Sequence, residues 1–292
     1  MPSRRSVLAG LTGLAVGCWR PRDPRTVAQI VPVTPTKDGA GVRLRRAIGS
    51  NALSMLDPFL LLDEFRSDDP DDYLAGFPDH PHRGFETVTV MLKGAMEHRD
   101  SVGNRGQLGP GSVQWMTAGR GIVHSEMPKQ RDGVMWGFQL WVNLPARLKM
   151  TAPRYQDIGE VGETAIADAR VRVLAGRVGG VAGPVDGVVV EPVLLDVTTG
   201  RFYTEDVPAG HAAFLYVAEG EAVVGEARVA AGNVAVLGPG RSIDVGGDAR
   251  FLLAAAAPIG EPVARRGPFV MNTDAEIRQA YADYRSGRLV GG

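Results

Sequence analysis

Two short stretches carry residue types that could hold a metal. The run HPHRGFE opens with His80 and His82, one proline apart, and GRGIVHSE places His124 and Glu126 with the same single-residue gap. Only five histidines occur in 292 residues, so three of them in two such pairs is a concentration of ligating groups. Along a β-strand successive side chains alternate faces, and residues two apart point the same way. His80 and His82 would then share one face, as would His124 and Glu126. Two such strands meeting across a sheet could bring three imidazoles and one carboxylate to one point. That donor set suits a divalent first-row metal and admits iron, nickel, copper, manganese, cobalt and zinc alike. Coordination positions left open would let iron take both an organic molecule and dioxygen. Glu86 is a rival ligand, because H-x-H-x3-E also has metal-site character and its spacing from both histidines is even. It could equally orient a ligand histidine from behind. His98, in MEHRD, is expected to face solvent.

Strands have to position these groups. FETVTVMLKG alternates and is rich in β-branched residues, and GSVQWMTAG and MWGFQLWVNL read similarly. SVGNRGQLGPG and TAGRGI are glycine-centred breaks between them. With 38 glycines and 20 prolines, the chain favours many short strands and tight turns over long helices. The fold class is therefore all-β, an antiparallel sandwich or barrel. LPARLKMTAPRYQDI, from Leu144, breaks the rhythm with two prolines and is expected to be an interdomain linker. After it the rhythm returns. ETVTVMLKGAM can be laid over AFLYVAEGEAV, bringing Gly94 onto Gly220, and LGPGSVQWMTAGRGIVHSE over VAAGNVAVLGPGRSIDVGG, bringing Gly111 onto Gly232. Such a two-fold repeat has the size of duplicated domains. On this overlay His124 falls on Val245, Glu126 on Gly247 and His82 on Pro208, while His211 lands on Phe85. The candidate ligands belong to the first half alone, which points to chemistry there and not to a shared structural role. The chain closes on TDAEIRQAYADYRSGRL, where Thr273 and Glu276 form a capping box and predict a helix over residues 274–287.

Bulk properties exclude some functions. Lys plus Arg number 32 against 33 Asp plus Glu, and a net charge of −1 gives no reason to expect nucleic acid as a partner. The single cysteine, Cys18, allows neither an internal disulfide nor a cysteine-based zinc site. At the N-terminus, PSRRSVLAGLTGLAVGCW joins Arg4 and Arg5 to an apolar run from Val7 to Gly17, too short to span a bilayer but suited to an export signal. The Ser3-Arg4-Arg5 order resembles a twin-arginine signal, which implies a periplasmic destination, with the cytoplasm as the alternative. Cys18 follows LAVG, a partial likeness to a lipoprotein box, and is a candidate lipid anchor. The expected organisation is an export signal over 1–28, a metal-binding domain over 29–150 and a second domain without ligands over 151–292.

The residues quoted above carry a resemblance. FPDHPHRGFETVTVMLKGAMEHRDSVGNRGQLGPGSVQWMTAGRGIVHSEMP, followed by FQLWVNLP and later by GPFVMNT, resembles the pirin family of the cupin superfamily over nearly the whole chain after the signal. The resemblance implies a bicupin: two antiparallel jelly-roll barrels, with mononuclear iron(II) held in the first by three histidines and a glutamate. These match His80, His82, His124 and Glu126, and the pattern sets Glu86 outside the metal's ligands. It implies two precedents for function. Some pirins act as quercetin 2,3-dioxygenases, opening a flavonol ring with dioxygen and releasing carbon monoxide; others are redox-responsive iron-binding regulators that act through a protein partner. The enzyme is the expectation, with a small aromatic substrate, dioxygen as co-substrate and Glu126 as proton acceptor. Phe85, Trp115 and Met116 could wall off water, although each is equally explained as core.

Overall fold

Both faces of the strand Phe85–Lys93 are buried, against different surroundings. In the computed structural model, which describes residues 22–290, Val88 and Val90 join a cluster with Trp115, Phe138 and Leu140. That cluster continues into the second half of the chain with Phe214, Tyr216, Val234 and Leu252. Thr87 and Thr89, on the alternate positions, face the interior of the first domain and are equally buried. An alternating strand therefore does not have a wet face here: its valines make the domain interface and its threonines line a polar interior.

Each half is a jelly-roll-like pair of antiparallel layers. In the first, a seven-stranded sheet runs Arg154–Ile158, Val113–Thr117, Phe85–Lys93, Met135–Asn143, Phe59–Ser67, Val42–Ile48, Thr34–Asp38, and faces a four-stranded sheet of Phe77–His82, Ile122–Pro128, Met96–Asp100 and Arg105–Leu108. The second half repeats this order from Val27–Pro32 through Asn233–Leu237, Ala212–Val224, Ala249–Ala256, Val193–Thr199 and Ala169–Ala175 to Glu163–Ile166. Its long strand Ala212–Val224 bends into the other layer to pair with Ala227–Ala230 and Ser242–Gly246. Neither half closes into a barrel: each is a sandwich of two layers, joined in the second half by that one strand.

Two strands cross the boundaries expected from the sequence. Val27–Pro32 pairs with Asn233–Leu237 in the second sheet, and Arg154–Ile158, inside the expected linker, is the edge strand on Val113–Thr117 of the first. Each covers a sheet edge that would otherwise expose unpaired backbone groups. Ordered packing also begins before residue 28. Arg25 is buried and donates to the carbonyls of His211 and Pro208, each at 2.9 Å, and of Gly238 at 3.2 Å. The expected export segment lies mostly before Arg22, with Cys18 inside it, and so falls outside the described residues. Among the described residues no helix is long and apolar enough to cross a membrane.

The repeat is visible in backbone conformation. Gly121 and Gly240 share φ 146°, a value that only glycine tolerates well, at the turns into Ile122–Pro128 and Ser242–Gly246. Counting from them puts Ile243 and Val245 opposite His124 and Glu126, two residues from the sequence overlay, because the second copy's loop is shorter. Both are fully buried in an interior of Tyr203, Leu215, Val217, Phe251 and Leu253. The second domain thus fills with apolar side chains the space that the first lines with polar ones.

The helix Asp274–Arg285 starts at the expected capping box: Thr273 Oγ accepts from the Glu276 amide and the Glu276 carboxylate accepts from the Thr273 amide. It ends two residues earlier than expected, at Ser286. Ile277 and Ala280 pack on Phe269, Met271 and Leu289. This C-terminal unit returns to the first domain. Asp283 pairs with Arg83 at 2.8 Å, and the Val270 amide donates to the Arg83 carbonyl at 3.0 Å.

Candidate metal centre

The strands Phe77–His82 and Ile122–Pro128 are antiparallel neighbours, with His80 directly opposite His124. His82 comes from the end of the same strand. Ring centres lie 4.7 Å apart for His80 and His82, 4.3 Å for His80 and His124, and 4.9 Å for His82 and His124. One nitrogen from each ring falls within 4.8 Å of the other two.

The hydrogen bonds sort the ring nitrogens. His80 Nδ1 lies 2.8 Å from the Pro78 carbonyl and His82 Nδ1 3.3 Å from the Pro268 carbonyl, so each Nδ1–H donates there. His124 Nδ1 lies 3.5 Å from His98 Nδ1. At His80 and His82 this leaves Nε2 as the lone-pair nitrogen, which is how ligand histidines are oriented, while either ring can donate in the His124–His98 contact. His124 Nε2 is buried without any partner. An orphaned buried nitrogen is costly unless something occupies it, and a cation among three such nitrogens supplies that. Burial, reinforced by the neighbouring imidazoles, holds His82 and His124 well below the usual imidazole value. They are neutral at physiological pH and ready to ligate. The residues fit a divalent metal.

Glu126 lines the same cavity but stands outside the group of three. Opposite His124 and Glu126 the strand Phe77–His82 carries one extra residue between Phe77 and His80, while Ile122–Pro128 stays regular against Met96–Asp100, so His124 and Glu126 keep the same face. The Glu126 Oε1 lies 2.9 Å from the Thr89 hydroxyl and Gln139 Oε1 lies 2.7 Å from the same hydroxyl, whose single proton goes to one of these acceptors at a time. Glu86 is elsewhere. It sits on the Val88 face of its strand, toward the domain interface, accepts from the Thr117 hydroxyl at 2.7 Å, and is raised above the usual carboxylate range by burial. It does not line the cavity.

His98 is not solvent-facing: it is 1% exposed. It stands behind His124, with the Tyr155 ring 4.8 Å beyond it. Strand alternation offered the signal, since Met96 and His98 share the inward face while Glu97 and Arg99 meet charged partners outside. Phe85, Trp115 and Met116 are core, as their side chains are fully buried and none lines the cavity. Phe85 backs His82 and Trp141, at 5.0 and 4.3 Å between ring centres.

The cavity beside the imidazoles has a volume of about 580 Å³. Leu61, Phe65, Phe77 and Trp141 give it an apolar wall, and Gln139, Asp63, Arg46 and Arg265 supply polar groups. Its size and mixed lining are those of a small-molecule site. Three wall residues, Arg265, Gly267 and Pro268, come from the C-terminal segment, which no local pattern in the sequence connects with the histidines.

Known proteins resemble the chain throughout. Residues 41–142 match the family description Pirin, and residues 193–290 match Pirin C-terminal cupin domain. A pirin-like protein of Caulobacter vibrioides is 50% identical over 91% of this chain and 99% of its own length. Pirin of Homo sapiens is 41% identical over 86% of this chain and 89% of its own. A solved structure of quercetin 2,3-dioxygenase from Acinetobacter baumannii aligns with a TM-score of 0.84 at 33% identity, over 91% of this chain and 99% of that one. With both jelly rolls matched, and the histidine triad in the first of them, the chain belongs to the pirin family.

Proposed function

We propose that this protein is a divalent-metal-dependent dioxygenase, with iron(II) as its metal, that opens the ring of a flavonol or similar enol in the manner of quercetin 2,3-dioxygenase. His80, His82 and His124 would hold the metal through Nε2, with Glu126 as fourth ligand. The observation that carries this is the convergence of one ring nitrogen from each of three histidines within 4.8 Å of one another, with the Nδ1 of His80 and of His82 held by backbone carbonyls, beside a 580 Å³ cavity that His80, His82 and Glu126 line. The quercetin dioxygenase among the similar structures supports the choice of reaction.

When bound, the metal supplies Lewis acidity toward the enol oxygen and redox chemistry with dioxygen. The protein's own contributions follow from the site. Thr89 holds Glu126 Oε1, leaving Oε2 to take the proton from the substrate hydroxyl or to turn toward the imidazoles. Trp141, Leu61 and Phe65 offer a flat apolar wall that excludes water from one side of a conjugated ring. The C-terminal segment completes the cavity through Pro268, whose carbonyl also orients His82. We also propose, from the Arg4-Arg5 pair, that the chain is exported already folded through a twin-arginine route.

Adding quercetin to anaerobically prepared, iron-loaded protein and then admitting oxygen is expected to give oxygen uptake with matching release of carbon monoxide. Full iron occupancy with neither gas changing would overturn the dioxygenase reading.

A further inference from the structure

One positive group on the cavity wall has no negative partner. Arg46 is neutralised: Nε and Nη2 form a two-pronged bond to Asp63 at 2.8 and 2.7 Å, and Nη2 meets Asp38 at 3.0 Å. Arg265 makes no ion pair among the described residues. Its side-chain hydrogen bond runs from Nη1 to the Leu60 carbonyl at 2.8 Å. The guanidinium carbon lies 4.8 Å from the centre of the Trp141 ring, which is in turn 5.2 Å from the His82 ring. The ring contact and the Leu60 bond together set the guanidinium in place, and among the described residues Nε and Nη2 have no hydrogen-bond partner. Arg265 is itself solvent-exposed, and the acids that share the cavity are engaged elsewhere or free in solvent: Asp38 and Asp63 bond Arg46, Glu126 accepts from Thr89, and Asp79 is exposed. Asp63 and Asp38 lie near enough to act on Arg265 through space but do not contact it.

A guanidinium is a planar fork that matches a carboxylate in two parallel hydrogen bonds. Here the fork stands at the cavity mouth, two ring contacts from the imidazoles, beside an aromatic wall. We propose that Arg265 clamps an anionic oxygen group at the outer end of the ligand. The substrate is then a planar conjugated enol that carries a carboxylate or ionised phenol remote from the oxygen meeting the imidazoles. The inference rests on the metal-dependent reading of the same cavity. It gives the second half of the chain, which has no ligands of its own, a part in specificity. Arg265 lies in the short strand Ala264–Arg266, whose neighbours Gly267 and Pro268 also line the cavity.

The test uses two probes, 3-hydroxyflavone and its 4′-carboxylate. Their dissociation constants are measured by fluorescence under argon on iron(II)-loaded wild type, Arg265→Met and Arg265→Lys. The wild type should hold the carboxylate at least about tenfold more tightly than the neutral flavone, the discrimination expected of a charge-assisted pair. Arg265→Met should erase that preference, and Arg265→Lys, which keeps the charge but not the fork, should restore only part of it. Affinity for the neutral flavone should change less than about twofold across the three proteins, as expected when only a charge-assisted contact is lost. Equal preference in Arg265→Met, no preference in the wild type, or no binding of either probe would overturn the clamp. Arg265→Lys carries the test if the methionine variant does not fold. Oxygen is admitted afterwards. A clamp that depends on Arg265, without oxygen uptake, supports this inference while counting against the dioxygenase.

Discussion

The His124→Ala variant is expected to lose metal while keeping its fold. His124 contributes the central ring of the triad, opposite His80 and within 4.9 Å of His82 between ring centres. Its Nε2 is buried with no partner among the described residues, so the substitution removes a ligand and leaves no hydrogen bond broken at that atom. Changing even a group behind a ligand typically weakens metal binding about 10- to 100-fold, and loss of a ligand should exceed about 100-fold. The apolar cores of both domains are untouched, and melting should shift little. His211→Ala is the control, because it also removes a buried histidine but from the second domain. Metal analysis after dialysis should find the metal retained in His211→Ala and absent from His124→Ala. Full occupancy in His124→Ala would rule His124 out as a ligand.

Lys149→Met is expected to destabilise the protein by about 3 kcal/mol, since three buried acceptors lose a charged donor. Lys149 is 1% exposed and has no carboxylate partner in contact. Its Nζ donates to the Gly84 carbonyl and Asn143 Oδ1, each at 2.7 Å, and to the Val270 carbonyl at 3.1 Å. These acceptors belong to the turn just after His82, the end of the strand Met135–Asn143, and the C-terminal segment. One ammonium therefore ties the ligand turn to the returning tail. Gly84 permits this closeness: its φ is +90°, and a Cβ there would collide with the Val270 carbonyl. Met replaces the stem but none of the donors, so the melting temperature should fall and metal affinity should fall with it as Pro268 loosens on His82. The pH dependence has a definite sign. Burial lowers Lys149 to about 8, below its value of about 10.4 in an unfolded chain. Between these values the unfolded state binds more protons than the folded one, so this group's contribution to stability rises with pH. The stability gap between wild type and Lys149→Met should widen from pH 8 to pH 10. Denaturant unfolding of both proteins checks it, and an equal or shrinking gap would contradict this account of Lys149.

Much of this architecture is written in local pattern. Phe85–Lys93, Val113–Thr117 and Met135–Asn143 are strands where alternation and β-branching place them, and the capping box at Thr273 starts the helix. His80, His82 and His124 converge because even spacing on paired strands brings side chains to one face. What the sequence hides is long-range. Nothing near Arg265 signals that it will face a cavity whose histidines lie far back along the chain. Nothing in ARLKM marks Lys149 for burial, since lysines are almost never fully buried, yet acceptors from Gly84, Asn143 and Val270 meet it. The alternation of Phe85–Lys93 does not say which side of the strand meets which surroundings; the domain packs on both faces of its main sheet, and Thr89 reaches Glu126 from the polar one. The extra residue between Phe77 and His80, opposite His124 and Glu126, is a local irregularity that spacing alone cannot register.

The central claim is that one divalent metal sits among His80, His82, His124 and Glu126. Anomalous diffraction from crystals grown anaerobically with iron(II), measured on both sides of the iron edge, tests it most directly. The account predicts a single strong peak per chain within bonding reach of all three Nε2 atoms, with the Glu126 carboxylate swung from Thr89 to meet it. A peak located elsewhere, or none at saturating iron, would contradict it.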